Sequence, residues 1–116
     1  MAIGQNRVIH GVRVLAGAIV AVGAVLSFMQ VAWAQDRAMI DAGEDIYNNY
    51  CSTCHGQKLV SSGQTFDLRR LTANDRSRFQ NSVLMGKNQM PPWKGALSNE
   101  EIDLIWQFIR ANAHQK

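Results

Sequence analysis

Hydrophobic and polar residues are distributed along this chain in two distinct ways, and the first is a run with no polar face. Val14 to Phe28 is apolar without a charged residue. A run of that kind has no side to turn towards water, so it does not read as a surface helix of a folded domain. Arg7 and Arg13 precede it, and Ala32-Trp33-Ala34 closes it with small residues flanking one large one. A basic start, an apolar middle and an A-x-A end predict a secretory signal peptide over residues 1–34, cleaved before Gln35. The 21 residues from Val14 to Ala34 are also long enough to span a bilayer, so an uncleaved anchor is the competing reading. Ser27 and Gln30 near the end of the run suit a cleavage region better.

From Asp36 the pattern changes to a helical period. Met39, Ala42, Ile46, Tyr47 and Tyr50 recur at helical spacing, while Asp36, Asp41, Glu44 and Asp45 load the N-terminal half as the helix dipole prefers. The predicted helix covers Asp36–Tyr50 and continues through residues 51–55 to a stop at Gly56. Gln57–Thr65, with Ser61-Ser62-Gly63, reads as a loop. Phe66-Asp67-Leu68-Arg69-Arg70-Leu71 reads as a turn packing Phe66, Leu68 and Leu71 inward. Thr72 and Asp75 form a capping box opening a helix through Phe79 and Val83 to Met85, closed by Gly86. Lys87–Gly95 carries Pro91-Pro92 and cannot be helical. Ser98 and Glu101 form a second capping box, followed by the stripe Ile102, Ile105, Trp106 and Ile109. The last helix is predicted from Asn99 to Ala113. No segment alternates with a strand period, so residues 35–116 are expected to form one all-α domain.

Length and charge matter once the leader is set aside. Removing 34 of the 116 residues leaves 82, few for a self-sufficient hydrophobic core, and chains of this size usually carry a staple. Arg7 and Arg13 leave with the leader, so twelve basic residues become ten against nine acidic ones and the net charge falls from +3 to +1. The sequence pI of 9.2 therefore overstates the basicity of the domain. No basic cluster with interleaved aromatics is present, and nucleic acid is excluded as a partner.

The staple is legible in Cys51-Ser52-Thr53-Cys54-His55. Two thiols three positions apart on a helical turn can add across the two vinyl groups of a haem, with the adjoining histidine below the iron as axial ligand. Both cysteines of the chain lie here. A zinc site would need four ligands, and His10 and His114 stand alone near the termini. A thioredoxin-like dithiol would follow a strand, and none is predicted. A plain disulfide would leave His55 without a role. For a second axial ligand the candidates are Met85 and Met90. Met85 falls in the last turn of a helix, where a core role is the default; Met90 precedes two prolines on a stiff, extended segment suited to reaching a haem edge, and is favoured. Thioether sulfur is a soft ligand that raises the reduction potential.

These residues resemble the class I c-type cytochromes over nearly all of the domain: the attachment motif, Gly43-x-x-x-Tyr47 before it, Met90-Pro91-Pro92 after it, and an aromatic-rich last helix. The resemblance implies a small cytochrome c fold, three or more helices wrapped around one covalent haem c. It sets Gly43 and Tyr47 of the first helix against Ile105 and Phe108 of the last, as core. The segments Phe66–Leu71, Phe79-Gln80-Asn81-Ser82-Val83 and Met90-Pro91-Pro92-Trp93-Lys94-Gly95 are similar to the mono-haem periplasmic cytochromes paired with quinoprotein (pyrroloquinoline quinone) alcohol and methanol dehydrogenases. That likeness implies a monomeric one-electron carrier, not an enzyme, without a membrane span after cleavage, located in the periplasm. It would take electrons from such a dehydrogenase and pass them towards a terminal oxidase or another cytochrome. The apolar shell is expected from Leu68, Leu71, Phe79, Val83, Trp93 and Trp106. Arg69, Arg70 and Trp93 are candidates to bind the haem propionates through guanidinium and indole N–H groups, with a solvated surface pair the equal alternative for the two arginines. One departure stands out. Many class I members have a proline soon after the histidine, whose carbonyl orients its ring; this chain has Gln57-Lys58-Leu59, so the His55 N–H needs another acceptor, expected in the Lys58–Ser61 loop. The rival function is a haem-based sensor or peroxidase-like enzyme with a labile sixth position.

Overall fold

The acid-led segment predicted as the first helix does form one. A computed structural model describes residues 32–114; the signal segment expected over 1–34 lies, for residues 1–31, outside the described residues. The attachment motif and everything after it lie in the compact unit that begins at Arg37. Helix α1 covers residues 32–50. The chain then bends at Cys51 (φ −117°, ψ −33°) before the short helix α2, Ser52–His55. The bend is slight, because Cys51 N–H still donates to the Tyr47 carbonyl at 2.8 Å and His55 N–H to the Cys51 carbonyl at 2.9 Å. Gly56, at φ 85°, stops the run.

Short 3₁₀ turns at Gln57–Leu59, Leu68–Arg70 and Ala73–Asp75 lead to α3, Arg76–Met85. Both capping boxes form as predicted. Thr72 and Asp75 bond reciprocally at the start of the turn that feeds α3, and Ser98 and Glu101 do so at the start of α4, Asn99–Ala111. Each satisfies backbone donors that a helix start leaves free. Helix α4 ends two residues short of the predicted Ala113: the Asn112 amide turns back to the Phe108 carbonyl at 2.8 Å and closes it. Among the described residues the only extended pairings are isolated bridges, Lys87 with Met90 and Lys94 with Leu97. No described helix is long and apolar enough to cross a membrane.

The core joins one residue of α1 to two of α3 and four of α4. Tyr47, Phe79, Val83, Ile102, Ile105, Phe108 and Ile109 are buried, with Leu59, Leu71 and Leu97 brought in from the connections. Each large apolar side chain fully removed from water contributes roughly 1.5–3 kcal/mol. The α1–α4 seam is close: a Cβ on Gly43 would stand 2.1 Å from the Leu104 carbonyl oxygen and 3.1 Å from Phe108 Cβ. Tyr47 lies on Phe108 with ring centroids 5.3 Å apart. Gly43 thus lies nearest to the Leu104 carbonyl and to the expected Phe108. Of the predicted apolar shell, Leu71, Phe79 and Val83 are buried, and Leu68, Trp93 and Trp106 pack against the core partly exposed.

Two predicted burials fail. Phe66 is 48% exposed, because the turn presents its ring to Arg70 and Arg78, whose guanidinium carbons lie 6.0 and 5.7 Å from its centroid. Two cations close to one aromatic ring favour its staying at the surface. Met85 is 61% exposed, so the default core role does not apply to it.

Candidate functional site

The attachment segment is built as the end of one helical run. Cys51 is half-buried and Cys54 exposed; both thiols are free. Burial, and then the neighbouring Cys54 thiol, push the Cys51 thiol up to about 11, so it is neutral at ordinary pH. His55 follows on the same turn. Its Nδ1 is buried and makes no hydrogen bond of good geometry. Burial lowers the imidazole below its ordinary value, and the Phe66 main chain offsets part of that effect by stabilising the charged ring. The Phe66 backbone thus lies near the ring, and no acceptor bonds Nδ1. Thr65 fixes this approach, its hydroxyl donating to the Cys54 carbonyl at 3.0 Å.

The chain leaves His55 through a strained turn. A Cβ at Gly56 would meet the Val60 carbonyl oxygen at 2.0 Å, and Lys58 (φ 52°) and Leu59 (φ 60°) are both left-handed without being glycine. Such conformations cost of order 1–3 kcal/mol each and persist where surroundings enforce them. The enforcement is visible on both sides: Leu59 is buried in the core, and the Tyr47 hydroxyl donates to the Gly56 carbonyl at 2.6 Å.

Met90 stands in a loop fixed to the end of α3. Trp93 N–H donates to the Val83 carbonyl at 2.9 Å and Lys94 N–H to the Leu84 carbonyl at 3.2 Å, while Lys87 and Met90 exchange two backbone bonds at 3.0 and 2.9 Å. Gly86, at φ 75°, leaves room for that loop; a Cβ there would fall 2.7 Å from the Met90 carbonyl oxygen and 3.0 Å from Pro92 N. Met90 is half-buried against the core cluster. The indole of Trp93 meets the ring of Tyr50 edge-on with centroids 5.5 Å apart. Tyr50 immediately precedes Cys51, so this contact brings the methionine loop to the attachment segment.

The other candidates are placed differently. Arg69 forks onto Asp67, Nε to Oδ1 and Nη2 to Oδ2, both at 3.1 Å. That pairing holds the Asp67 carboxyl below its usual range. Arg70 is exposed beside Phe66. The structure thus groups Cys51, Cys54 and His55 on one turn and ties Met90 and Trp93 to it through Tyr50, with Arg69 and Arg70 on the separate Leu68–Arg70 turn. Sequence reading missed the Tyr47 hydroxyl, since an aromatic at a core position carries no sign of which carbonyl its oxygen reaches. It also missed Arg76, which bridges to Asp103 and lies 5.6 Å over the Trp106 ring with its Nη1 buried and unpartnered.

The donor set fits a covalent haem. Two free thiols three positions apart adjoin an imidazole whose buried Nδ1 has no partner, and a thioether is held on a loop tied to the same segment through Tyr50 and Trp93. Among the described residues no three His, Cys, Asp or Glu side chains converge to hold a metal ion. A family model described as cytochrome c oxidase, cbb3-type, subunit III matches residues 38–109. The chain is 38% identical over 85 residues to the quinohemoprotein alcohol dehydrogenase ADH-IIG of Pseudomonas putida, covering 72% of this chain and 12% of that protein. It is 32% identical over 79 residues to the quinohemoprotein alcohol dehydrogenase ADH IIB of the same organism, covering 66% and 11%. It is 31% identical over 86 residues to cytochrome c6 of Gracilaria tenuistipitata var. liui, covering 70% and 77%. The chain spans only about an eighth of the length of the two dehydrogenases. No solved structure matches it significantly.

Proposed function

The chain belongs to the c-type cytochromes, electron carriers with covalent haem c, and on that premise we propose how its own residues serve the role. Cys51 and Cys54 would hold the haem through thioethers, and His55 and Met90 would ligate its iron. When bound, the haem supplies a one-electron couple at iron. The protein's part is to hold both ligands in either oxidation state, to exclude water and to set the potential. The Tyr50–Trp93 contact carries this reading, because it brings the loop of Met90 to the turn of His55. Gly86 and the two bonds from the 93–94 backbone to α3 keep that loop in place. Arg69 and Arg70 are proposed to pair with the propionates and Trp93 to donate its indole N–H to one; for Arg69 this means exchanging or sharing the Asp67 carboxylate.

The donor is proposed to be a periplasmic quinoprotein alcohol dehydrogenase and the acceptor an oxidase or another cytochrome. Likeness to parts of two quinohemoprotein alcohol dehydrogenases supports the donor. A monomer exported by cleavage after Ala34 completes the proposal. Docking of this kind buries a small, short-lived interface.

The test is carbon monoxide added to the ferrous protein. A closed carrier binds it slowly or not at all, and Met90→Ala binds it promptly while Met85→Ala behaves as wild type. Prompt binding by the wild type would replace this reading with the sensor or peroxidase-like one.

A further inference from the structure

Tyr47 has the position of a core residue and the bonding of something more. Its ring is fully buried on Phe108, which packing alone explains. The hydroxyl is not explained by packing. It crosses nine residues to the Gly56 carbonyl at 2.6 Å, and that carbonyl belongs to the residue directly after His55. Helix ends leave carbonyls without partners, and here a buried side chain from the preceding helix supplies one. The Gly56 N–H is held as well, donating to the Ser52 carbonyl at 2.8 Å. Both polar groups of the residue that follows His55 are therefore fixed. Beyond it the Val60 carbonyl oxygen lies so close that a Cβ on Gly56 would stand 2.0 Å from it, and the left-handed pair Lys58 and Leu59 follows.

We propose that Tyr47 is a positioning residue for His55: its hydroxyl locks the Gly56 peptide and thereby sets the seat of the imidazole. The proposal rests on the reading of His55 as the axial ligand. It also links the α1–α4 seam to the site, since the same side chain has its ring in the seam and its oxygen on the ligand's turn. A phenylalanine would fill the seam equally well and leave the part-buried Gly56 carbonyl without this donor.

The experiment compares the holocytochromes of wild type, Tyr47→Phe and Ile105→Val, the last trimming the α4 core while leaving every polar group of the Gly56 turn in place. Thermal midpoint, amide exchange and the paramagnetically shifted ring resonances of His55 in the ferric protein are measured on each. A lost neutral hydrogen bond corresponds to about a fivefold change in a local opening equilibrium. Tyr47→Phe is expected to speed exchange at the Gly56 amide about fivefold relative to amides of α4, and to shift the His55 resonances. Ile105→Val is expected to lower the midpoint temperature with both features unchanged. If Tyr47→Phe behaves like Ile105→Val, Tyr47 is core and the proposal falls. If the wild type shows no shifted His55 resonances at all, the ligand assignment fails first and takes this inference with it. Should Tyr47→Phe not accumulate, the wild-type Tyr47 hydroxyl proton is followed instead: slow exchange with solvent supports the bond, and rapid exchange overturns it.

Discussion

Replacing Gly43 by alanine tests the α1–α4 seam by the sign of its effect. In an open helix interior alanine is better than glycine by about 1 kcal/mol, so a loosely packed α1 would be stabilised. The seam predicts the opposite. The added Cβ would stand 2.1 Å from the Leu104 carbonyl oxygen and 2.6 Å from its carbon, where ordinary contact needs roughly 3.5 Å. Those atoms are backbone of α4 and cannot rotate away, so the two helices must part by more than 1 Å, roughly. A gap of that size forfeits much of the dispersion between Tyr47 and Phe108, and overpacking costs typically 1–3 kcal/mol. Taking the upper end against the propensity gain leaves a net loss of about 2 kcal/mol. For a domain of about 80 residues the unfolding entropy is roughly 170 cal/mol/K, so the midpoint should fall by about 12 °C. The assay is thermal unfolding of the holocytochrome followed by far-UV circular dichroism, with guanidinium unfolding as a check. An unchanged or higher midpoint for Gly43→Ala would refute the close seam.

Three further outcomes are expected. Gly86→Ala, which places a Cβ 2.7 Å from the Met90 carbonyl at φ 75°, should displace the methionine loop and weaken the thioether–iron absorbance in the ferric spectrum; an unperturbed band would mean that Met90 does not ligate from this loop. Ser98→Ala removes the side chain that accepts from the Glu101 N–H at 3.1 Å and should cost about 1 kcal/mol in guanidinium unfolding, with the visible spectrum unchanged. The carboxyls of Asp67, Asp75 and Glu101 lie below their ordinary values through bonds from Arg69, Thr72 and Ser98 respectively. Depressed folded values mean that their contribution is complete above the unfolded values near pH ~4 and is lost as pH falls through the folded ones. Stability should therefore decline on acidification, and Asp67→Asn should flatten that decline; an unaltered acid slope would show that the Arg69 pairing contributes nothing.

What the residues disclosed in advance depends on how locally each feature is encoded. The capping boxes at Thr72 and Ser98 need only residues three apart, and both form. The glycine stops at 56 and 86 follow from left-handed backbone that glycine alone adopts cheaply. The attachment pentapeptide carries its chemistry in its own spacing. Features set by distant partners were not legible. Phe66 reads as apolar and inward, yet its exposure depends on Arg70 and Arg78, one of them on another element. That the Leu104 carbonyl stands nearest to Gly43 is a matter of register between two helices. Lys58 and Leu59 give no hint of left-handed backbone, because residue type favours neither; the Tyr47 bond and the burial of Leu59 impose it. The Tyr47 hydroxyl was invisible for the same reason, its partner lying beyond a bend and a second helix.

The central claim, a haem bonded to Cys51 and Cys54 of an exported chain, is met most directly by the intact mass of the protein recovered from the periplasm of a host with haem-attachment machinery. The account predicts the mass of residues 35–116 plus one haem. A haem-bearing mass that retains residues 1–34 would keep the cofactor and contradict the cleavage, leaving an anchored cytochrome. A mass without haem, with both cysteines free or joined, would contradict the account at its base.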